Sequence, residues 1–577
     1  MIAFLKRQRI LITLVTFLFI FHWFSKDIRN PYERPIVGDA QAYWSYLPAL
    51  FIYNDPNYTF IETDAAQYYP EGQTKDFVKK IENGASVNKT FPGVAILYAP
   101  FFLLGHVSAH LFGYPADGFS IVYQFWFDVG LWCYFLFGLI FLNQFLKKLG
   151  FSAKISLFAT VLTAVGTNIF FYTVYDQSVT HIYNFCMINA LLLCLAYFKE
   201  NQAVKWLALS LALLALIGIT RPTNVLVIGL IFIFFPQKEF YRQIFQSIFS
   251  KKWWLFALAS LPILSIPFLL WKWQSGQWIV YSYGEEGFNF SDPHLMDFIF
   301  SYTKGWFTYT PLALLILLIG CSLVLKRSFT KGGMIIGFYL ISIYIFSSWW
   351  CWYYGAGMSQ RVMIDHYVLL AYLLAVIVKT LKDRPMLLRF FMSIVALLTV
   401  LNIAQAYQIK KGIIQFGSAT KEQYWDNFLQ FHPRAKIYPP SHWQWVESVI
   451  LEKNDPSPEL KVSSNHPFST TLNASILPLQ PNSKVIVSFE AKAKSAVADS
   501  RAVLFLYDQQ KNEHYFPFYF HEFVRADQWV TMEFLLEPES TYTDSVKLYF
   551  WNGNTEEEVE FRNIHLSHYT SDQSDPK

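Results

Sequence analysis

Several long apolar runs carry no charged side chain, and this feature limits the possible fold more than any other. Four of these runs are Leu207–Ile219, Val225–Phe235, Leu312–Leu325 and Val368–Val378. Only 15% of the 577 residues are charged, whereas soluble globular domains carry about 25%. Runs of this kind cross a lipid bilayer as helices. We therefore predict a polytopic α-helical membrane protein, which excludes a soluble enzyme, a disordered chain and a nucleic-acid-binding protein.

Eleven membrane spans are predicted, and the first, at 10–24, directly follows the basic sequence Lys6-Arg7-Gln8-Arg9. The other ten fit at 120–146, 155–174, 182–198, 205–221, 223–236, 253–273, 307–325, 333–350, 362–379 and 389–406. This order places most loop lysines and arginines on one side, as the positive-inside rule requires. The N-terminus is then cytoplasmic in a cytoplasmic (inner) membrane, and the chain after residue 406 is extracytoplasmic or periplasmic.

The segment Phe91–Phe112 is also apolar enough to span, but counting it would reverse the side of every later loop. Because Pro92, Gly93 and Pro100 interrupt it, we predict a broken or in-plane helix at the outer membrane face. This segment belongs to a long first external loop, 26–119, whose aromatic content argues against disorder. The loop completes a membrane domain that covers residues 1–406.

After the last predicted span, apolar residues recur at every second position. Five segments alternate apolar and polar residues: Val485–Phe489, Val503–Tyr507, Trp529–Leu535, Val546–Phe550 and Val559–Ile564. A period of two is typical of strands with one buried face. We predict an extracytoplasmic antiparallel β-sandwich over 455–570, after a connector at 407–454 and before a disordered tail at 571–577. Its aromatic residues Tyr515, Phe518, Tyr519 and Trp551 would either be exposed and stack on sugar rings, or be core residues or contacts with the membrane domain.

Acidic residues on the predicted outer side are the candidates for catalysis. Asp39 follows Gly38 near the start of the first external loop, where a carboxylate can act as a general base on an incoming hydroxyl. The alternative is that Asp39 caps the following helix. Asp64 and Asp55 are weaker candidates of the same kind. Asp176 and His181, between the third and fourth spans, would bind substrate hydroxyls or satisfy backbone groups of the turn.

Isolated cations on the same side are the candidates for anion binding. Lys89, Arg221 and Arg361 lie on the side that the positive-inside rule disfavours, and binding a lipid phosphate would explain their position. The alternative is a structural ion pair, since Asp365 lies four residues after Arg361. The five cysteines have no metal-ligand spacing, so no metal site is predicted, and a divalent cation stays an open alternative.

These motifs in this order resemble the bacterial GT-C superfamily of membrane glycosyltransferases, which includes protein O-mannosyltransferases and aminoarabinose transferases. The resemblance covers residues 1–406 and rests on Gly38-Asp39, Lys89-Thr90-Phe91-Pro92-Gly93, Thr180-His181-Ile182-Tyr183 and Arg221-Pro222-Thr223-Asn224. It implies a GT-C-like helix bundle whose first external loop carries the catalytic acid along the membrane. It also implies a polyprenyl-phosphate sugar donor, with Asp39 as the base and Lys89 with Arg221 or Arg361 on the donor phosphate.

The sequence departs from the protein mannosyltransferase pattern after Asp39, and its tail lies outside the part that resembles the GT-C superfamily. Protein mannosyltransferases have an Asp-Glu pair where Asp39 is followed here by Ala40, so the acceptor (a glycan, lipid or protein) and a metal requirement stay open. The tail resembles jelly-roll carbohydrate-binding modules. The prediction is an inverting glycosyltransferase in the lipid bilayer. The alternatives are a transporter or flippase of lipid-linked sugars, or a surface-glycan polymerase or ligase. The absence of an internal repeat disfavours the transporter.

Overall fold

The computed structural model describes most of the chain, with short gaps. It covers residues 2–26, 34–69, 77–284, 286–414, 419–431, 436–437, 443–451, 460–463, 467–469, 471–493, 500–520, 523–524, 527–538, 540–551 and 558–570, with side chains from Gln8 onward. Two compact units divide near Lys410. The predicted tail at 571–577 lies outside the described residues.

The first unit is helical. Its helices are α1 (Ile2–Ser25), α2 (Asp39–Trp44), α3 (Tyr46–Pro48), α4 (Gly93–Phe112), α5 (Ile121–Lys148), α6 (Ala153–Val165), α7 (Ile169–Val174), α8 (His181–Asn201), α9 (Val204–Thr220), α10 (Val227–Phe234), α11 (Lys238–Ile248), α12 (Trp253–Ser275), α13 (Leu295–Phe300), α14 (Trp306–Tyr309), α15 (Pro311–Arg327), α16 (Phe329–Ser347), α17 (Tyr367–Leu381) and α18 (Pro385–Lys410). A short hairpin joins β1 (Val78–Lys80) to β2 (Ser86–Asn88).

Eight helices of the described chain are long and apolar enough to cross a membrane. They are α1, α4, α5, α8, α12, α16, α18 and the helix formed by α17 with the 3₁₀ turn Arg361–His366 before it. Shorter apolar helices include α6, α9 and α10. This region therefore has the character of a membrane domain, as the apolar runs predicted, and the count of eleven spans stays a prediction.

Helix α4 is unbroken, with Pro100 inside it, so a break in this segment is not observed. It runs antiparallel to α5 and covers only the first half of that helix, as three contacts show: Gly105 with Tyr123, Phe101 with Gly130, and the Leu97 carbonyl with the Tyr134 hydroxyl. Helix α4 begins beside the end of α9 and ends beside the start of α5, so it packs along only part of its neighbour. Its length alone therefore does not show that it crosses a membrane. Its orientation to a membrane stays a prediction.

A buried polar pair ties three helices together near the end of α1. His22 Nε2 lies 3.3 Å from the Asp128 carboxylate of α5, and His22 Nδ1 lies 2.6 Å from the Val174 carbonyl of α7. Both side chains are almost fully buried. Polar groups inside apolar bundles need such partners, so this contact places the ends of α1 and α7 beside the first turns of α5.

The second unit contains α19 (Lys421–Asn427) and two antiparallel sheets. Its strands are β3 (Gln444–Ile450), β4 (Leu460–Val462), β5 (Leu472–Ser475), β6 (Ser483–Ala493), β7 (Arg501–Asp508), β8 (Glu513–Tyr519), β9 (Val530–Leu536), β10 (Tyr542–Trp551) and β11 (Val559–Thr570). One sheet has the order β5-β10-β7-β8, and the other has β3-β11-β6-β9 with β4 added on β11. Strand β3 lies inside the range predicted as a connector.

The two sheets share one apolar core, centred on Phe489, Phe550 and Phe561, where the last two rings stack at 3.9 Å. The alternating pattern thus correctly predicted an antiparallel β domain. Phe518 belongs to this core, as one of its predicted alternatives had it, while its neighbour Tyr519 points outward.

Candidate active site

The candidate base begins a short helix. Gly38 is the N-cap of α2 and has a φ of +55°, a conformation that glycine adopts readily, so Asp39 is the first helical residue and not the cap. Instead, Asp39 Oδ2 accepts a 2.8 Å hydrogen bond from Nη2 of Arg361. The Asp39 side chain is 45% exposed, whereas that of Arg361 is 15% exposed. The carboxylate is therefore fixed in place yet reachable by an incoming group.

Arg361 follows a loop of unusual backbone conformation. Tyr354, Gly355, Gly357 and Ser359 all have positive φ values. At Tyr354 and Ser359, which are not glycines, this conformation stores strain and persists only where neighbouring groups hold it. Here the Ser359 hydroxyl donates to the Trp306 carbonyl and accepts from Thr310, so the 306–310 segment fixes the loop. The expected pairing of Arg361 with Asp365 does not occur.

Lys304 is a second anchor of this loop, and the sequence did not mark it as a site residue. Its Nζ is fully buried and donates to the carbonyls of Gly355 and Ala356 at 3.1 and 3.2 Å and to the Tyr172 hydroxyl at 3.3 Å. Burial, and then the positive charge of Arg361, hold the pKa of Lys304 well below its usual value. Asp176 opposes that shift, so its carboxylate lies near this cation.

Arg221 lies at the outer end of a buried hydrogen-bonded chain. It follows α9, and its Nη1 lies 2.9 Å from Nε2 of His181, the first residue of α8. His181 Nδ1 lies 2.7 Å from the Asp365 carboxylate. Because arginine only donates and a carboxylate only accepts, His181 is the neutral tautomer with its proton on Nδ1. His181 therefore orients Arg221 rather than binding substrate through Nε2.

Asp365 is satisfied by several partners. In addition to His181, it accepts hydrogen bonds from the amides of Asn184 and Asn224 at 3.2 and 2.8 Å. In the described chain, no carboxylate lies within salt-bridge distance of Arg221, whose guanidinium instead lies 5.8 Å from the Tyr354 ring centre. Arg221 thus has charge available for an anionic ligand.

Lys89 lies next to these residues and has an acidic partner. Its Nζ donates to Glu286 over 2.9 Å, and the Ser282 hydroxyl donates to the Lys89 carbonyl. Tyr283 lies between Ser282 and Glu286 in the sequence, and its phenol interacts electrostatically with Arg221 and Asp39. Burial raises the pKa of Tyr283 to about 12, with Arg221 lowering it and Asp39 raising it.

Tyr43 marks the centre of the arrangement. Burial raises its pKa, as does the Asp39 carboxylate, while Arg221 and Arg361 oppose the shift. Four side chains thus act electrostatically on Tyr43, and together with it they are named here the Asp39 cluster: Asp39, Tyr43, Arg221, Tyr283 and Arg361. Both phenols stay protonated at neutral pH, so their hydroxyls can donate hydrogen bonds to a substrate.

No known protein family matches this sequence, and no curated protein is significantly similar to it. Among the described residues, no three His, Cys, Asp or Glu side chains are grouped so that they could hold a metal ion. The chemistry of the Asp39 cluster is therefore the basis for a functional assignment.

The structure brings together six of the seven residues predicted for the site. Asp39, Arg221 and Arg361 form its centre, and Lys89, Asp176 and His181 lie around it. Asp176 also accepts from the backbone N–H and the hydroxyl of Ser178 in its own turn, and the first of these bonds is the one that the structural alternative predicted. Glu286 and Lys304 are additional residues that only long-range contacts reveal.

Asp64 is the exception, and Asp55 also has another role. Asp64 accepts from the Thr63 hydroxyl, and no hydrogen bond or ion pair among the described residues links it to the Asp39 cluster. Asp55 closes a turn by accepting from the backbone of Asn57 and Thr59. Burial would raise the pKa of Asp55, but the bonds from Thr59 and the backbone lower it overall.

Proposed function

We propose that this protein is an integral-membrane glycosyltransferase that moves a sugar from a polyprenyl-phosphate donor to an acceptor hydroxyl on the outer face of the membrane. One observation carries the proposal. Asp39, a half-exposed carboxylate, is held by Arg361. Arg221, which has no carboxylate partner among the described residues, acts electrostatically on the same two phenols as Asp39, those of Tyr43 and Tyr283. A base next to an anion-binding group is what transfer from a phosphate leaving group requires.

In the proposed reaction, Asp39 takes the proton of the acceptor hydroxyl as its oxygen attacks the anomeric carbon. The bond between that carbon and the donor phosphate breaks on the opposite face, so the configuration inverts. The products are the glycosylated acceptor and polyprenyl phosphate, and the proton passes from Asp39 to solvent. Arg221 and Lys89 stabilise the charge that develops on the leaving phosphate.

The contacts of Arg361, Lys89 and Arg221 support a different role for each cation. Arg361 donates to Asp39, so its proposed role is to orient the base rather than to hold the phosphate alone. Lys89 shares its charge with Glu286, so the donor phosphate would compete with that carboxylate. Arg221, oriented by His181, is then the principal phosphate ligand, since arginine binds phosphate through two parallel hydrogen bonds.

Donor turnover by the purified protein in nanodiscs tests the proposal directly, with a panel of polyprenyl-phosphate sugars and a mixture of candidate acceptors. Asp39→Asn removes the base and is expected to lower release of polyprenyl phosphate by about 10²–10⁴-fold. Asp64→Asn is the matched control, because Asp64 is an acid of the same loop without contacts to the Asp39 cluster. Equal turnover by wild type and Asp39→Asn contradicts the assignment of Asp39.

A transporter or flippase of lipid-linked sugars predicts a different result in this assay. It would move the donor across the bilayer without releasing polyprenyl phosphate, in both wild type and Asp39→Asn. A surface-glycan polymerase or ligase shares the donor chemistry and would differ only in its acceptor.

A further inference from the structure

The end of α11 and the start of α12 form an amphipathic corner, defined here as residues 245–254. Four large aromatic side chains in this stretch are more than half exposed: Phe245, Phe249, Trp253 and Trp254. Helix α11 has 11 residues, too few to span a bilayer. Short helices with exposed aromatic residues lie in the membrane interface, where tryptophan is enriched.

Two lysines occupy the turn of this corner. Lys251 and Lys252 are exposed and stand between Phe249 and Trp253. The ion pair of α11 joins Arg242 to Glu239, and no ion pair among the described residues involves either lysine. Their positive charge is therefore free to attract a negatively charged headgroup.

An apolar groove of about 410 Å³ opens at the same place. It runs between α9, the end of α11 and the first turns of α12, and its lining includes Leu211, Phe249, Trp253, Phe256, Ala257 and Leu261. Phe249 and Trp253 belong both to this lining and to the immediate neighbourhood of the lysines. The charged turn and the mouth of the groove are thus adjacent.

We propose that this corner binds one anionic phospholipid, with its phosphate on Lys251 and Lys252 and one acyl chain in the groove. The positive turn favours an anionic over a zwitterionic lipid, and the apolar lining favours a hydrocarbon chain over a protein side chain or a soluble anion. Neither feature depends on the proposed transferase reaction.

The site lies far from the Asp39 cluster. At the other end of α12, the Gln274 amide donates to the Tyr58 hydroxyl and the Ser275 carbonyl accepts from Asn83, both on the side of the cluster. The 23 residues of α12 separate the two ends by about 35 Å. The bound lipid therefore anchors the start of the helix whose far end packs against the first external loop.

Native mass spectrometry of the full-length protein tests this site. The protein is stripped of lipid in detergent and then given equal amounts of phosphatidylglycerol and phosphatidylcholine. Wild type is expected to retain one phosphatidylglycerol in preference to phosphatidylcholine. The double variant Lys251→Gln/Lys252→Gln is expected to bind phosphatidylglycerol about 30-fold more weakly. Each lysine near an anionic lipid increases the affinity by about 5-fold, and the variant loses two of them.

The matched control is Lys326→Gln/Lys382→Gln, which removes two exposed lysines at the same end of the bundle, where α15 and α17 finish. This control is expected to keep the lipid. A second variant, Ala257→Trp, fills the groove without changing charge and is expected to release the lipid as well. Equal retention of the two phospholipids by wild type, or undiminished binding by either corner variant, overturns the proposal.

Discussion

The side chains of His181 and Asp365, 184 positions apart, meet at 2.7 Å inside the helical unit. Both are almost fully buried, and the Asp365 carboxylate also accepts from Asn184 and Asn224. One carboxylate thus holds the starts of α8, α10 and α17 at a common point. It also fixes the histidine tautomer that orients Arg221.

Replacing Asp365 is therefore expected to destabilise the helical unit strongly. Asp365→Ala leaves three buried donors without an acceptor, and each buried donor left unsatisfied costs about 1–3 kcal/mol. Thermal unfolding in detergent measures the change. Asp383→Ala is the control, because Asp383 is largely exposed and its contact with Lys382 spans 4.0 Å. A melting temperature for Asp365→Ala like that of the control would contradict this role.

The partner of Asp365 could not be predicted from the sequence. A spacing of four predicted an Arg361–Asp365 pair, which requires an α-helix. The segment Arg361–His366 is instead a 3₁₀ helix, in which residues three apart share a face. The two side chains therefore point to different partners, Asp39 and His181. Both partners lie far away in the sequence, so no local pattern could identify them.

Arg221 is expected to determine affinity for the donor. Arg221→Gln keeps a polar side chain but removes the charge, and losing a charge-assisted hydrogen bond to phosphate weakens binding by about 10- to 100-fold. We expect this loss in the KM for the polyprenyl-phosphate donor. Arg242→Gln, on the surface of α11, should leave KM unchanged. An unchanged KM for Arg221→Gln would assign the phosphate to another cation.

The contact between α4 and α9 depends on a glycine. A Cβ atom on Gly93 would lie 2.2 Å from Oγ1 of Thr220, the residue before Arg221. Gly93→Ala is therefore expected to push α4 away from the site, and overpacking of this kind costs about 1–3 kcal/mol. Gly337→Ala in α16 is the control, because no described atom outside its own stretch of helix lies within 4 Å of its Cβ position. That variant should be neutral or slightly stabilising in thermal unfolding.

The lowered pKa of Lys304 predicts that the stability of the folded protein rises with pH. Since its pKa in the folded protein lies well below 10.5, the unfolded chain binds more protons between the two values. Stability from this group is therefore lowest at low pH and rises with pH up to 10.5. The melting temperature of wild type relative to Lys304→Met should increase from pH 7 to pH 10. A difference that stays constant over this range would show that Lys304 does not titrate there.

Most of the fold follows from two periodicities in the sequence. Uninterrupted apolar runs predicted the helices, and alternation after residue 455 predicted the five strands that carry most of the two sheets. Strands β4 and β5 have only three and four residues, too few to show a period. Strand β8 alternates in burial but has aromatic residues on both faces, and β3 exposes apolar residues such as Trp445 and Ile450, so the sequence of neither strand shows the alternation. For the site, residue type and predicted side identified the cations and Asp39. Glu286 and the anchoring role of Lys304 depend on contacts that only the folded chain provides.

The ion pair between Asp39 and Arg361 joins positions that are 322 residues apart. During synthesis at typical rates, Asp39 leaves the ribosome about 20 to 60 s before Arg361. The apolar helices up to α16 are therefore synthesised while the carboxylate still lacks its partner. A chain that stops before residue 361 would contain most of the apolar helices but lack the ion pair, so its hydropathy alone would not distinguish it from the full-length protein.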